Sequence, residues 1–140
     1  MTASTLIVGA GPSGLSPALA FLQNCISVQV IDKLSTYRVG KKGSGMQILV
    51  FIVGIKLLSV LPNIQKKGEA VQPMLRYLPG GKTQTIEMIF YMENTPNWPH
   101  INSIMLGQDG HKDVHCEHLS RYSATVELET ELVSFEQFPD

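Results

Sequence analysis

Residues 9–14 near the amino terminus, GAGPSG, have the G-x-G-x-x-G spacing of a turn that binds phosphate groups. Gly9 permits a tight turn, Gly11 lets the backbone approach a pyrophosphate, and Gly14 lets helix and strand pack closely. Pro12 and Ser13 lie between them, where a following helix would begin. The unpaired N–H groups of a helix start, at the positive end of its dipole, attract phosphate. This turn therefore predicts a dinucleotide site.

A carboxylate follows at the spacing that such a site requires. Asp32 lies 18 residues after Gly14 (32 − 14), close to the separation of about 20 for an acid that binds the ribose hydroxyls. Lys33 comes directly after it and joins the candidate site. The alternative is a tight turn that binds no ligand. Such a turn would not require the preceding strand, the following helix and a second strand that ends in an acid.

The elements around the turn form one βαβ unit. Thr5 to Val8 is a strand, and Ser13 to Gln23 is a helix with apolar residues at i, i+3, i+4 and i+7. Val28 to Ile31 is a second strand that ends at Asp32, so we expect two parallel strands joined by a right-handed crossover. Pro17, inside the helix, should bend or loosen its first turns.

The rest of the chain is less regular. An apolar run over residues 48–61 stops at Pro62, and a polar loop over residues 33–47 precedes it. The remaining predicted elements are strands from Met74 to Leu78 and from Thr83 to Tyr91 with a turn at residues 79–81, and a helix from Asp109 to Leu119. The sequence from Thr125 to Phe135 is strand-like, either as one strand or as two short strands interrupted near residues 129 and 130. The last segment, near Leu132 to Phe135, should present an unpaired apolar edge.

Composition excludes several classes of function. The chain has 140 residues, a formal net charge of -1 and a pI near 6.4, so there is no basic footprint for nucleic acid. The apolar run is 14 residues long and contains Lys56, whereas a membrane span needs about 20 apolar residues. Cys25 and Cys116 are too few for a disulfide framework, which favours free thiols and a cytoplasmic location.

Two other segments resemble known site motifs. His111 and His115 share a face of the predicted helix and could hold zinc, but His118 is expected elsewhere on the wheel and a site needs three or four ligands. We therefore predict no metal. Residues 80–83, GGKT, lack the upstream glycine of a P-loop, since Arg76 stands there, and a hairpin turn is favoured. No residue is predicted to be catalytic.

The segments LIVGAGPSGL, VIDK with YRVGKKGSGMQ, LGQD and VELETELVSFEQ resemble the amino-terminal part of the FAD-dependent aromatic-ring monooxygenases. These are flavin hydroxylases similar to para-hydroxybenzoate hydroxylase and phenol 2-monooxygenase. The resemblance covers about Thr5 to Gln137. It implies an α/β fold, a partial Rossmann-type, glutathione-reductase-like FAD-binding domain with a small antiparallel β piece. It also implies FAD as cofactor, NADPH and O₂ as co-substrates and a small aromatic substrate.

Site residues follow from the resemblance one by one. Gly9, Gly11, Gly14 and Asp32 match the positions that hold the ADP half of FAD. Three further positions match residues that approach the flavin side or the ribityl chain: Arg38, Gln47 and Gln108. For two of these residues, an ordinary structural role remains the alternative. Arg38 is one of several cations in its loop, and Gln108 could be only a helix-capping residue.

The chain also departs from that family. Where members usually continue with R-T-L-E, this sequence reads ILVF, and Leu49 replaces the arginine. Members also carry a later D-G segment, a G-D segment, a substrate-binding sheet and a dimerisation region that this sequence does not contain. We therefore expect residues 1–140 to be the amino-terminal portion of an FAD-binding domain, without a second domain and without hydroxylase activity of its own. The alternatives are a non-catalytic remnant with weak or no nucleotide binding, or a small NAD-binding module.

Overall fold

A computed structural model describes residues 3–37, 59–87, 90–97, 99 and 101–138. The fold is α/β, with a parallel sheet and small antiparallel pieces, as predicted. The elements in chain order are β1 (Thr5–Val8), α1 (Pro12–Gln23), β2 (Val28–Ile31), α2 (Leu61–Lys67), β3 (Glu69–Ala70), β4 (Met74–Tyr77), β5 (Thr83–Ile86), β6 (Ile104–Met105), α3 (Gln108–Ser120) and β7 (Val126–Glu127).

The parallel sheet has the order β1-β2-β7. Thr5 lies opposite Val28 and Val8 opposite Ile31, so the first two strands are parallel and in register over their whole length. Val30 lies opposite Val126, which places β7 parallel to β2 on its other side. The parallel βαβ unit expected from the glycine turn and its neighbours is confirmed.

The core lies between the sheet and the helices. Leu15, Ala18 and Leu19 of α1 are buried, as the predicted apolar face requires, and Leu22 is half-buried. These side chains share one cluster with buried residues of β2 and of the two later helices: Val30, Leu61, Ile64, Val114 and Leu119. The packing of α3 against α1 therefore fixes the start of α3 beside the glycine turn.

The two prolines of α1 differ in their effect. Pro12 is the first residue of the helix, where a missing N–H costs nothing. Pro17 lies inside the helix, which continues past it to Gln23. Because Pro17 has no N–H, the carbonyl of Ser13 lacks its usual intrahelical donor. The loosening of the first turns remains a prediction.

The strand expected from Thr125 to Phe135 is wrong in extent, because pairing ends after Glu127. Glu129 has a φ of 55°, in the left-handed region, which turns the chain out of the sheet. The N–H of Glu129 then donates to the carbonyl of Leu34, so the segment crosses the loop after β2. Val133 is 92% exposed. The apolar surface expected near Leu132 to Phe135 is present, but no strand edge carries it.

Other boundaries also differ. The second hairpin strand ends at Ile86, well before Tyr91, and the first ends at Tyr77. The helix α2 was not predicted, because Pro62 was interpreted as a stop although it lies at the start of that helix. Gly80 and Gly81 both have positive φ in the turn between β4 and β5, so the hairpin interpretation of residues 80–83 is confirmed.

Most of the apolar run over residues 48–61 lies outside the described residues, and so does the polar loop from residue 38 onward. Within the part of the chain that the structure describes, no helix has the length and apolar character needed to cross a membrane.

Candidate functional site

A cleft of about 570 Å³ opens at the carboxyl ends of β1 and β2, within the size range of small-molecule sites. Its walls come from the glycine turn, the loop after β2, the start of α3 and the segment after β7. The described residues that line it are Val8, Gly9, Ala10, Gly11, Pro12, Ser13, Asp32, Lys33, Leu34, Thr36, Tyr37, Gln108, Asp109, Lys112, Thr130, Glu131 and Leu132. Ligands of open α/β sheets bind at this position relative to the strands.

The glycines of the turn have three different environments. Gly9 has a φ of 103°, and its N–H donates to the carbonyl of Ile31 over 2.8 Å, which ties the turn to β2. A Cβ on Gly14 would collide with the carbonyl oxygen of Gly9 and press on Ile7, so this glycine lets α1 approach β1. A Cβ on Gly11 would meet nothing within 4 Å. The space over Gly11 is open toward the cleft.

The start of α1 presents unpaired donors. Gly11 is the N-cap residue and no side chain caps the helix. Within the described residues, the N–H groups of Gly11 and Ser13 have no hydrogen-bond partner. These groups and the helix dipole form a site for an anion. The turn therefore fits the pyrophosphate of a dinucleotide.

Asp32 connects two of the loops that line the cleft through hydrogen bonds. Its Oδ2 accepts a hydrogen bond from the N–H of Ala10 at 2.8 Å, and its Oδ1 accepts one from the N–H of Leu34 at 3.0 Å. The carboxylate thus fixes the glycine turn against the loop after β2. Each oxygen keeps acceptor capacity for a further donor, such as a ribose hydroxyl.

Lys33 and Gln108 take different positions. Lys33 is 68% exposed, and its Nζ lies 3.4 Å from Oε1 of Glu131 at the rim of the cleft. Gln108 is the first residue of α3 and lines the cleft, whereas Gly107 is the N-cap and the helix has no side-chain cap. The alternative of Gln108 as a capping residue is therefore wrong. Arg38 and Gln47 lie outside the described residues.

Sequence reasoning missed Tyr37 and Lys112. Both line the cleft, and the Nζ of Lys112 lies 4.4 Å from the centroid of the Tyr37 ring. The Sγ of Cys116 donates to the Tyr37 hydroxyl at 3.7 Å. Burial, and then this hydrogen bond, raise the pKa of Tyr37 to about 12. Lys112 follows Gln108 by one helical turn, and that spacing was the available signal in the sequence.

The three histidines of α3 are buried together and do not line the cleft. The prediction that His118 lies off the common face is wrong, since His111, His115 and His118 are all buried. Burial lowers the pKa of each. The described residues contain no group of three or more His, Cys, Asp or Glu side chains that could hold a metal ion.

His115 connects α3 to the second turn of α1. Its Nδ1 donates to the carbonyl of His111 at 2.8 Å, which leaves Nε2 to accept from the Ser16 hydroxyl at 3.1 Å. Ser16 also lies 2.8 Å from the carbonyl of Pro12, and its single proton serves one acceptor at a time. Among the residues that the structure describes, Nε2 of His111 and of His118 has no hydrogen-bond partner.

The model of the family described as FAD binding domain matches residues 2–140. No curated protein sequence matches the chain significantly.

Solved structures share the fold. The p-nitrophenol 4-monooxygenase PnpA from Pseudomonas putida DLL-E4 is 17% identical with a TM-score of 0.74, and the match covers 97% of this chain and 34% of that one. Aklavinone-11 hydroxylase, solved with FAD and aklavinone, is 18% identical with a TM-score of 0.76, and the match covers 98% and 27%. The flavin-dependent monooxygenase PieE, solved with FAD and substrate, is 16% identical with a TM-score of 0.76, and the match covers 99% and 25%. The chain thus spans about a third or less of their length.

Proposed function

Because this chain belongs to the FAD binding domain family, we propose that its cleft holds the ADP half of FAD within a flavin-dependent aromatic monooxygenase that uses NADPH and O₂. Residues 1–140 would form the amino-terminal portion of the FAD-binding domain. The observation that carries the proposal is the convergence of an open, donor-rich glycine turn, the Asp32 carboxylate and Gln108 on one cleft. A small aromatic molecule would be the substrate.

The glycine turn would hold the pyrophosphate. The N–H groups of Gly11 and Ser13 lie at the helix start, where an anion is favoured, and the absence of a Cβ at Gly11 leaves room for the phosphate oxygens. Pro12 directs the chain into α1 without removing a needed donor. Gly9 and Gly14 act indirectly, since they let the turn close and let α1 approach the sheet.

The other assignments follow the walls of the cleft. Asp32 would accept hydrogen bonds from the ribose hydroxyls through the acceptor capacity that Ala10 and Leu34 leave unused. Lys33 would stay at the rim with Glu131. Gln108 would donate to the ribityl side of the cofactor, and Arg38 and Gln47 are proposed as flavin-side ligands on the family resemblance alone.

The bound flavin would supply the electron transfer from NADPH to O₂ that hydroxylation requires. The residues of this chain would bind and orient the cofactor and exclude water from its phosphates, and none of them is proposed as a catalytic residue. A cytoplasmic location is part of the proposal and is supported by two cysteines that are both free thiols.

Titration of the purified chain with FAD, followed by flavin fluorescence with NAD and ADP as competitors, tests the proposal. We expect saturable FAD binding that ADP displaces. Gly11→Val should lower the affinity for FAD by roughly 100-fold, because its side chain fills the space over the turn. Ala70→Val, on the exposed strand β3, adds comparable bulk far from the turn and should change nothing. Equal affinities for FAD, NAD and ADP would reduce the site to an ADP-half site, and no binding at all would overturn the proposal.

A further inference from the structure

Lys112 lines the cleft, yet the proposed function gives it no role. Only 15% of its side chain is exposed, and its Nζ lies 3.4 Å from Oδ1 of Asp113, a side chain that is mostly in solvent. Neighbouring residues do not face each other on a helix, so this ion pair is a weak one. A lysine with so little exposure ordinarily has a stronger partner. The cleft is the side from which such a partner would come.

Tyr37 holds Lys112 in place. Its ring lies under the ammonium group, and its hydroxyl accepts from Cys116, one helical turn after Lys112. The tyrosine therefore lies along α3, in contact with two successive turns. A cation over an aromatic face is attracted to the ring and keeps its full positive charge. The arrangement restricts the ammonium while leaving it able to bind a negative group.

The charges of the cleft show which ligand group would benefit. A pyrophosphate is a dianion, whereas a helix start supplies only about half a positive charge. The glycine turn contains no cationic side chain. Of the two lysines that line the described part of the cleft, Lys33 is largely exposed and pairs with Glu131. Among the described lining residues, Lys112 is the cation that is both sheltered from water and part of the cleft wall.

We propose that Lys112 is a phosphate ligand of the bound dinucleotide and that Tyr37 is its positioning residue. The inference rests on the proposed function and deepens it, because neither the glycine motif nor the family match assigns Lys112. The pyrophosphate would then lie between the start of α1 on one wall and Lys112 of α3 on the other. Binding would draw the two helices to one anion.

The test compares three ligands on the full chain: FAD, ADP and riboflavin, which has no phosphate. Lys112→Gln should lower the affinity for FAD and for ADP by about tenfold, because a charge-assisted contact is lost. The affinity for riboflavin should not change. Lys112→Arg should keep most of the affinity. Lys66→Gln, an exposed lysine of α2, is the matched control and should bind all three ligands as the wild type does. The ³¹P resonances of bound FAD should shift in Lys112→Gln alone.

Substitutions of Tyr37 separate positioning from binding. Tyr37→Phe keeps the ring and should retain affinity, whereas Tyr37→Leu removes it and should weaken FAD and ADP by about threefold, as expected for the loss of one cation–π contact. Tyr37→Leu also provides the decisive measurement if Lys112→Gln does not fold, as judged by circular dichroism.

Each outcome decides between the two claims. If the wild type binds FAD and Lys112→Gln binds it equally well, the inference is overturned and the proposed function stands. An equal loss of riboflavin and ADP affinity would also overturn it, since the lysine would then act on the flavin or on folding. If the wild type binds neither FAD nor ADP, both claims fail.

Discussion

Two regions of the molecule begin from similar sequence and end in different environments. The βαβ unit and the hairpin β4–β5 each contain two short strands with apolar residues and a glycine-containing connection. In the first, α1 packs on the sheet and α3 packs on α1, and Leu15 and Leu19 are fully buried. In the hairpin, Leu75 is 57% exposed, and within the described residues its strands pair only with each other. Helical cover, more than strand sequence, decides which region forms the core.

The largest expected contrast is in side-chain truncation. Leu19→Ala should lower the free energy of unfolding by about 2–5 kcal/mol, since it leaves a cavity in the core. Leu75→Ala, the same change in the hairpin, should alter it by less than about 0.5 kcal/mol, because the side chain is largely in water already. Urea unfolding followed by circular dichroism measures both. Equal losses would mean that the hairpin is part of the same cooperative core.

The second contrast lies within the glycine turn itself. Gly14→Ala should cost about 1–3 kcal/mol of stability, because the added methyl collides with the backbone of Gly9. Gly11→Ala should cost almost nothing, since its φ is -76° and the space beside it is open. Thermal unfolding of the two variants gives the comparison. A Gly11→Ala variant as unstable as Gly14→Ala would show that the turn is packed where we describe it as open.

The pH dependence of the stability should also arise from the helix-covered region. Burial lowers the pKa of the three histidines of α3, so they are neutral in the folded chain and take up protons on unfolding. The packed elements add few titrating groups: α1 has none, α2 carries Lys66 and Lys67, and α3 itself adds Asp109, Lys112, Asp113, Cys116 and Glu117, with Arg121 just beyond it. Stability should be full above about pH 6.5 and fall as the pH drops below it.

The stability at alkaline pH depends on two other groups. Tyr37 has a pKa raised to about 12, and burial raises the pKa of the Cys116 thiol. Both are protonated in the folded chain, so stability should be kept up to the unfolded values of roughly 8.5 to 10 and decline above them. Urea unfolding from pH 5 to pH 10 should therefore give a plateau with losses at both ends. A stability that rises on acidification would contradict the buried neutral histidines.

The smallest contrast concerns one hydroxyl. Ser16→Ala should cost about 0.5–1.5 kcal/mol, because Nε2 of buried His115 loses its donor. Ser120→Ala removes an exposed hydroxyl that donates to the carbonyl of Glu117, on the same helix, and its effect should be smaller. The two variants are compared by thermal unfolding at pH 8. If they are equal, the contact between α1 and α3 through His115 contributes nothing measurable.

The βαβ unit was predictable because its signals are local. The bounds of β1 and β2 and the end of α1 follow from apolar periodicity, from the glycine turn and from Pro12. An interruption near residues 129 and 130 was predicted, but a strand beyond it was predicted wrongly, because alternation alone cannot reveal that the chain turns toward Leu34 at Glu129. The pairing of Glu69–Ala70 with Ile104–Met105 is too short to leave a pattern in the sequence.

The candidate site also contains residues that the sequence predicted and residues that it did not. Gly11 and Ser13 were identified from spacing, and Gln108 from the resemblance, and the structure brings all three to one cleft. The hydrogen bonds of Asp32 to Ala10 and Leu34 could not be predicted, since they depend on how two loops meet. Tyr37 was missed for the same reason, because its contact with Lys112 joins residues far apart in the chain.

The contact between Tyr37 and Cys116 also makes a kinetic reporter. A thiol with a raised pKa that is covered by a tyrosine reacts slowly with electrophiles, because only the thiolate attacks. Cys25 is exposed, so Cys25→Ser would leave a single slow thiol. Its rate of alkylation would then measure how often Tyr37 separates from Cys116. A change in this wall of the cleft could be followed in this way without any flavin or substrate.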